Sequence, residues 1–169
     1  MHTPQTLLAC LEAAAIATRT VRHAAVFTVA QSQALRGELP GLHSKNLFLR
    51  EAKTGQLCLA VLEEGRRVSV NALARLAGWG KVSMADADAL LATLGVTPGS
   101  VTPFGLVNAR PGEMRVALDA ALAESEGLLW FHPLVNTAST GIQAIDLLRF
   151  LRGLGHEVAV LHFPEDGTA

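Results

Sequence analysis

Three short stretches of the sequence place polar or conformationally unusual residues next to apolar runs. Lys45 and Asn46 stand at the start of the run NLFLRE. The stretch GSVTP occupies 99–103, and His132 precedes a proline and the hydroxyl-rich NTAST. An ammonium at the edge of an apolar sheet costs desolvation unless an anion or a carbonyl partners it, and a glycine lets a ligand approach the backbone. Each stretch alone is more often structural than functional, but together they indicate a site for an anion or an ester.

The sequence lacks the signature motifs of several large enzyme classes. It contains no G-x-S-x-G elbow, no P-loop, no G-x-G-x-x-G after a strand, no H-E-x-x-H and no C-x-x-C. These absences argue against serine-elbow hydrolases, NTPases, dinucleotide enzymes and common zinc sites. The histidines are dispersed, and none pairs at helical spacing, so we expect no metal and no cofactor. His23 and His156 are expected to be structural or exposed.

Length and composition favour one compact α/β domain over residues 1–169, because half of the 169 residues are apolar and no linker or repeat interrupts them. The net charge of −1 excludes a broad positive field, so any nucleic-acid contact must be local. The uncharged stretch 127–145 carries too many polar residues to cross a bilayer. The N-terminal segment has no basic leader, and Cys10 and Cys58 have no metal-type spacing. We therefore expect a cytoplasmic protein without membrane contact.

The first half of the chain is expected to contain the central strands. Thr3 and Pro4 predict the start of a helix, 23–27 predicts a short strand, and 28–39 predicts a second helix. The runs 46–51 and 56–63 predict a β-hairpin that turns at Gly55. Both runs are apolar at odd and even positions, which predicts burial on both faces and a central place in the sheet.

The second half is expected to alternate helices with strands. The segments 69–78 and 84–95 predict helices closed by glycine, and 113–122 fits either a strand or a helix. The run 127–133 predicts a buried strand, and 156–163 predicts a last strand. Between them, hydroxyl caps are expected to precede a helix with one apolar stripe, formed by Ile142, Ile145, Leu148 and Leu151. Helices and hairpins interleave, so the sheet should be mixed.

The three stretches, in this order and spacing, resemble the YbaK / prolyl-tRNA synthetase editing-domain superfamily. The similarity is greatest to its free-standing trans-editing members, the Ala-tRNA(Pro) deacylases called ProXp-ala or PrdX. The resemblance covers nearly the whole chain, and the combination of motifs carries it more than any single motif does. It implies a single-domain YbaK-like fold with a mixed, largely antiparallel sheet flanked by helices. It also implies hydrolysis of the ester between a wrong amino acid and the terminal adenosine of tRNA(Pro).

The resemblance also implies roles for individual residues. Lys45 matches the motif lysine, which is expected to hold the 3′-terminal nucleotide or the aminoacyl group, and Asn46 matches a residue expected to contact the substrate. His132 matches the histidine of the pocket wall. These three are the expected catalytic residues.

Four further residues are expected to bind substrate. Gly99 and Pro103 match a G-x-x-x-P loop whose backbone cradles the aminoacyl end, and Asn136 and Thr137 are expected to order the pocket wall. Family members generally use no protein nucleophile; a water attacks the ester with help from the substrate's 2′-hydroxyl. This agrees with the sequence, which contains no motif of an activated serine or cysteine nucleophile.

Selectivity is the harder problem, because alanine is smaller than proline. A pocket that admits only the smaller group must exclude the larger one by steric clash. The apolar strands are expected to supply this wall through Leu47, Leu49, Val101 and Leu129. The expected partner is the acceptor end of tRNA(Pro), contacted by a few cations, with prolyl-tRNA synthetase or elongation factor as further candidates. Two alternatives stay open: deacylation of Cys-tRNA(Pro) or Ser-tRNA, and a non-catalytic module that binds tRNA ends.

Overall fold

The structure is a computed structural model that describes residues 1–26 and 29–164. Within these residues the chain alternates helices and strands around one sheet. The strands are β1 Thr18–Arg22, β2 Leu42–Glu51, β3 Leu57–Glu63, β4 Val82–Met84, β5 Met114–Asp119, β6 Leu128–Phe131, β7 Ala138–Gln143 and β8 Val158–Leu161. The helices are α1 Pro4–Ala13, α2 Val29–Glu38, α3 Val70–Ala77, α4 Ala87–Leu94, α5 Ala120–Ala123 and α6 Ala144–Gly153, with a 3-10 helix at Pro103–Val107.

The sheet is mixed, as expected. Its strand order is β1-β7-β6-β2-β3-β5-β8, and β4 pairs with β2 outside this path. The antiparallel pairs are β1 with β7, β7 with β6, β2 with β3, and β2 with β4. The parallel pairs are β2 with β6, β3 with β5, and β5 with β8. The predicted hairpin of β2 and β3 therefore lies at the centre, which confirms its expected position.

The hairpin is buried on both faces, as its apolar pattern predicts. Leu59 and Val61 of β3 belong to the larger hydrophobic cluster, whereas Leu62 and Ala60 belong to the smaller cluster on the other face. Alternating side chains of a strand point to opposite faces, so a strand that serves two cores must be apolar throughout. The turn contains Gly55 at φ +74°, a conformation that glycine adopts without steric cost.

Several helix ends agree with the sequence. Thr3 caps α1 through a capping box with Thr6, and Pro4 occupies the first turn. Gly78 and Gly95 end α3 and α4 in the left-handed conformation. The segment 113–122 divides into strand β5 and the short helix α5, so both alternatives hold in part. None of the helices in the described ranges is long and apolar enough to cross a membrane.

Two predicted elements are wrong. Residues 23–26 form no strand, and Phe27 lies outside the described residues; the strand here is the more polar β1, whose place depends on pairing with β7. The segment 138–143 is a strand rather than a cap, because it pairs with β1 on one side and β6 on the other. Ile142 therefore belongs to β7, and Ile145 is 77% exposed. Of the expected stripe, Leu151 is buried in α6 together with Ala144, Leu147 and Phe150, and Leu148 packs against the larger cluster.

One edge of β2 changes partner along its length. Strand β6 pairs with its first two residues, Leu42 and His43, and β4 pairs with its last three, Leu49 to Glu51. Among the described strands none pairs with 44–48 on this edge. The loop that contains 99–101 approaches the gap, and the candidate site lies there.

Candidate functional site

Two adjoining pockets open at the gap in the edge of β2, and both are lined by Ser44, Asn46 and His132. The first has a volume of about 210 Å³, and the second has a volume of about 220 Å³. Gly99 and Val101 complete the second pocket. The first is completed by Val26, Leu35, Arg36, His43, Glu64, Trp130, Phe131 and Ser139. A ligand with two parts could place one part in each pocket and its junction beside the three shared side chains.

Asn46 ties the central strand to the loop over the gap. Its Nδ2 donates a hydrogen bond of 2.8 Å to the carbonyl of Val101. Its Oδ1 is buried and has no hydrogen-bond partner within residues 1–26 and 29–164. An unpaired buried acceptor is costly and therefore needs an explanation, and a bound substrate group is one such explanation where the atom borders a pocket. The amide therefore fixes the loop with one end and keeps an unused acceptor at the other.

The loop itself depends on Gly99 and Pro103. Gly99 has φ +93°, and a side chain there would be strained although the nearest atom to its Cβ position, Nδ2 of Asn136, is 3.7 Å away. Pro103 is buried and opens the 3-10 helix, where Thr102 caps the amide of Phe104 at 3.2 Å. Gly99 thus borders the second pocket. Pro103 lines neither pocket and instead packs in the core at the end of the loop.

His132 presents a neutral ring to both pockets. Its Nδ1 lies 3.0 Å from the carbonyl oxygen of Ala138. A carbonyl only accepts, so Nδ1 carries the hydrogen and Nε2 is left as an acceptor. Burial lowers the pKa of His132 below its ordinary value, the bond to Ala138 opposes this, and nearby His23 lowers the pKa further.

Lys45 is the one expected catalytic residue that the structure does not bring to the pockets. Adjacent residues of a strand point to opposite faces, so Lys45 leaves β2 on the side opposite Asn46. Its ammonium donates to the backbone carbonyl of Arg66. Arg66 in turn forms a bidentate ion pair with the buried Asp119, at 2.9 Å for both bonds. His43, two residues before Lys45 on the same face, does reach the first pocket.

Of the residues expected to form the pocket wall, some line the site and others do not. Asn136 is half-buried beside Gly99, whereas Thr137 is exposed and lines a separate pocket with residues of α1 and β1. Among the four apolar side chains expected to form the wall, only Val101 lines the site. Leu49 and Leu129 are fully buried in the core, and Leu47 packs against the smaller cluster. The apolar lining comes instead from Val26, Leu35, Trp130 and Phe131.

Sequence reasoning missed the pair of His23 and Ser139. Ser139 lines the first pocket, and His23 Nε2 lies 2.8 Å from its Oγ. The ring centroids of His23 and His132 are 6.3 Å apart. His23 and Ser139 are 116 positions apart in the chain, and the pairing of β1 with β7 brings them together. His23, which was expected to be structural or exposed, therefore contacts a residue that lines the site.

The charged rim of the first pocket is formed by Arg36 and Glu64. Arg36 Nε lies 3.0 Å from Glu64 Oε2, and the arginine side chain is 43% exposed.

No group of three or more potential metal ligands is found in the ranges that the structure describes. Cys58 is fully buried, and burial, followed by the charge of Glu51, raises the pKa of its thiol to about 11. A thiol of this kind is not a nucleophile.

Comparisons with known proteins point to one family. Residues 23–150 match the family model of the aminoacyl-tRNA editing domain. The prolyl-tRNA synthetase associated domain-containing protein 1 of Bos taurus is 35% identical over 159 residues, covering 92% of each chain. The prolyl-tRNA editing protein ProX of Acetoanaerobium sticklandii is 30% identical over 156 residues, covering 92% of this chain and 94% of the other.

The fold also matches solved structures. The crystal structure of a proposed trans-editing enzyme for prolyl tRNA synthetase superposes with a TM-score of 0.70 at 21% identity. The match covers 95% of this chain and 98% of the other. A second crystal structure, of the hypothetical protein APE2540, gives a TM-score of 0.69 at 20% identity and covers 92% of this chain and 97% of the other. At these identities the similarity shows the fold.

Proposed function

Because the chain belongs to the aminoacyl-tRNA editing domain family, we propose that it is a trans-editing hydrolase that deacylates Ala-tRNA(Pro). The observation that carries this proposal is the wall that Ser44, Asn46 and His132 form between two pockets. An aminoacylated tRNA end also has two parts, an amino acid and a terminal adenosine, joined by an ester. The names of the relatives, which refer to prolyl-tRNA editing and to prolyl-tRNA synthetase, support the choice of tRNA(Pro).

The two pockets suit the two parts differently. The aminoacyl group is assigned to the pocket bordered by Gly99 and Val101, where the backbone can come close to the substrate. The adenosine is assigned to the first pocket, because its rim carries the half-exposed Arg36, which can contact a phosphate of the tRNA end, and its lining is partly apolar. The ester then lies at the wall shared by the two pockets. The neutral Nε2 of His132 is placed to accept a hydrogen bond from the α-ammonium or the 2′-hydroxyl of the substrate.

The proposed reaction needs little protein machinery. An aminoacyl ester is already reactive, so positioning a water and the substrate's own 2′-hydroxyl can supply much of the acceleration. The neutral His132 fits a role in hydrogen bonding and steric selection rather than in charge stabilisation. Proline would be excluded by clash with rigid groups of the pocket, which include the His132 ring held by Ala138.

Lys45 keeps the role that the family resemblance implies, as a proposal. In this structure its ammonium is bonded to the carbonyl of Arg66, and an ammonium has three protons to donate. His43, on the same face of β2 as Lys45, lines the first pocket, so that face also has access to the cavity. The lysine would contact the nucleotide at the first pocket after it leaves the Arg66 carbonyl.

A panel of charged tRNAs tests the function. Purified protein at micromolar concentration should deacylate Ala-tRNA(Pro) well above the rate in buffer and should spare Pro-tRNA(Pro). Cys-tRNA(Pro) and Ser-tRNA belong in the panel, because faster hydrolysis of either would move the assignment to that amino acid. Binding of an uncleavable ester analogue without turnover on any substrate would indicate a module that only binds tRNA ends. Ala-tRNA(Pro) decay equal to that in buffer overturns the proposal.

The cellular setting belongs to the same proposal. A cytoplasmic protein would meet charged tRNA(Pro) after release from prolyl-tRNA synthetase or on elongation factor. Co-purification of either partner, dependent on tRNA, would support this order of events.

A further inference from the structure

The hydrogen bonds around His23 determine which of its ring nitrogens carries the proton. Nδ1 lies 2.8 Å from the carbonyl oxygen of Ala24, and the backbone amide of His23 donates to the carbonyl of Thr137 at 2.9 Å. Because a carbonyl only accepts, Nδ1 carries the hydrogen. Nε2 must then accept, and the Ser139 hydroxyl at 2.8 Å is its donor. Both the position and the tautomer of the imidazole are therefore fixed.

Ser139 connects this imidazole to the cavity. Its residue exposure is 6%, and it lines the first pocket together with Asn46 and His132. Its hydrogen is directed to His23, so the remaining lone pair of Oγ is available to a group in the pocket. A hydroxyl bonded to an imidazole that a third group orients is the usual arrangement for activating a hydroxyl or relaying a proton.

The backbone favours relay over covalent catalysis. An acyl-enzyme on Ser139 would need amide donors beside it for the developing oxyanion. Ser139 lies inside β7 and itself pairs with Val21 of β1, and its neighbour Thr140 pairs with Thr20 of β1 and with Phe131 of β6. Residues paired in this way direct their backbone amides to neighbouring strands rather than into a pocket.

We propose that Ser139 and His23 form a proton relay for the water that attacks the ester, a step that rests on the proposed deacylation. The water oxygen forms the bond to the ester carbonyl carbon while one water proton passes to Oγ of Ser139. The Ser139 proton passes at the same time to Nε2 of His23, which becomes an imidazolium hydrogen-bonded to Ala24. The same protons return through Ser139 to the 3′-oxygen as the ester bond breaks, so serine and histidine are regenerated. Ser139 contacts the water, and His23 is a positioning residue that acts through it.

His23→Gln is the decisive variant. Glutamine can accept the Ser139 hydrogen bond but cannot take up a proton, so a merely structural role would survive this change. We expect kcat for Ala-tRNA(Pro) to fall at least tenfold, since general bases typically contribute about 10²–10⁴-fold, with KM and melting temperature nearly unchanged. A His23→Gln protein with the kcat of the wild type overturns the relay.

A double-mutant cycle tests whether the two residues act as one unit. Ser139→Ala should lower kcat at least tenfold, and adding His23→Gln should lower it little further, because residues of one relay are not additive. Independent, multiplicative losses would contradict the proposal. A covalent aminoacyl adduct on Ser139, detected by mass spectrometry of the quenched wild-type reaction, would replace the relay with nucleophilic catalysis.

Thr20→Val supplies a matched control. Thr20 and Thr140 form a hydroxyl pair at 2.8 Å across the same two strands, and Thr140 lies on the face opposite Ser139. This variant removes one hydrogen bond between β1 and β7 and should keep the kcat of the wild type. Equal kcat losses in Thr20→Val and His23→Gln would mean that loosened strands cause both, and would overturn the relay. Wild-type protein inactive on every charged tRNA would instead refute the proposed function.

Discussion

Asn46 divides its amide between structure and chemistry. Its Nδ2 holds the loop at Val101, and its buried Oδ1 has no hydrogen-bond partner among the described residues. The side chain can therefore orient a donor of the substrate only while the loop bond keeps the amide from rotating. At the scale of single residues, the site depends on such fixed orientations in Asn46, His132 and the His23–Ser139 pair.

Asn46→Asp should separate these two functions of the amide. The carboxylate cannot donate to the Val101 carbonyl and would repel it, so we expect at least a tenfold loss of kcat/KM. The free energy of unfolding should fall by about 1–3 kcal/mol, the usual cost of an unpaired buried polar group. Charged-tRNA deacylation and urea denaturation measure the two effects.

Gln56→Glu is the control for this change. Gln56 also donates its side-chain amide to backbone carbonyls, those of Leu57 and Glu113, but it lies outside both pockets of the site. The kcat/KM of the Gln56→Glu protein should equal that of the wild type. An Asn46→Asp protein with full activity would remove the assigned role.

His132 should make folding stability depend on pH. Its pKa is lowered in the folded state, mainly by burial, so below its ordinary value of 6.5 the unfolded chain binds a proton that the folded chain resists. The free energy of unfolding should therefore fall as the pH decreases below about 6.5, until the folded pKa is reached. Urea denaturation between pH 7.5 and 5.5 should show a smaller decline for His132→Gln than for the wild type. Identical declines would contradict the buried neutral histidine.

Lys45→Ala tests the role that the resemblance implies. If the ammonium serves the substrate, kcat/KM should fall at least tenfold while the melting temperature changes little. If it serves only the Arg66 carbonyl, the melting temperature should fall and kcat/KM should be kept. We expect the first result. Lys53→Ala, in the exposed turn of the hairpin, is the matched control.

The sequence indicates some residues of this site but not how their side chains are oriented or which of them contact one another. Asn46, Gly99 and His132 are identified by motif, and the structure brings them together. Adjacency in sequence cannot tell which of Lys45 and Asn46 faces the pocket, because that depends on the phase of strand alternation. Motifs are also silent on a pair such as His23 and Ser139, which meets only through long-range strand pairing.

At the scale of elements, the cavity exists because β2 diverges from β6 after two residues. Gly41 lies immediately before this junction at φ +132°, and a Cβ there would be 2.3 Å from the carbonyl oxygen of Leu128. The close approach of the two backbones depends on the missing side chain. The hairpin was predictable because local turn chemistry and apolar runs define it; β1, β7 and the gap were not, because they depend on partners distant in sequence.

Gly41→Ala should therefore disturb the cleft. Two costs combine, the unfavourable φ and a clash with backbone that cannot rotate away, and we expect a loss of at least about 2–3 kcal/mol in the free energy of unfolding. Gly55→Ala is the control, since Gly55 also has positive φ but no atom of the described part of the chain lies within 4 Å of its Cβ position, and the change should cost about 1 kcal/mol. Equal losses in the two variants, measured by urea denaturation, would show that strain alone matters.

At the scale of the whole molecule, the weak net charge of −1 limits how the protein can hold a nucleic acid. Affinity from counterion release grows with the number of phosphates neutralised. Within the described residues, Arg36 is the arginine that lines the first pocket, and its ion pair with Glu64 holds it at the rim. A few local contacts of this kind favour a short single-stranded end over a long duplex.

Salt dependence should show this limited contact. A plot of log kcat/KM against log salt concentration should be shallow, and Arg36→Gln should reduce the steepness by about 1 if the guanidinium neutralises one phosphate. Lys53→Gln should leave the slope unchanged. A steep slope that neither variant alters would indicate a binding face elsewhere on the molecule.

The interrupted edge of β2 also bears on self-association. A continuous free edge invites another chain to add a strand, which is a common start of aggregation. Here the stretch 44–48 without a strand partner spans about 17 Å at the usual rise, its last carbonyl, of Phe48, accepts a hydrogen bond from the amide of Ala85, and β6 and β4 flank it at both ends. A foreign strand would meet these two neighbours before it could align. The stretch of β2 that borders the cavity is thus shielded from strand addition by copies of the protein.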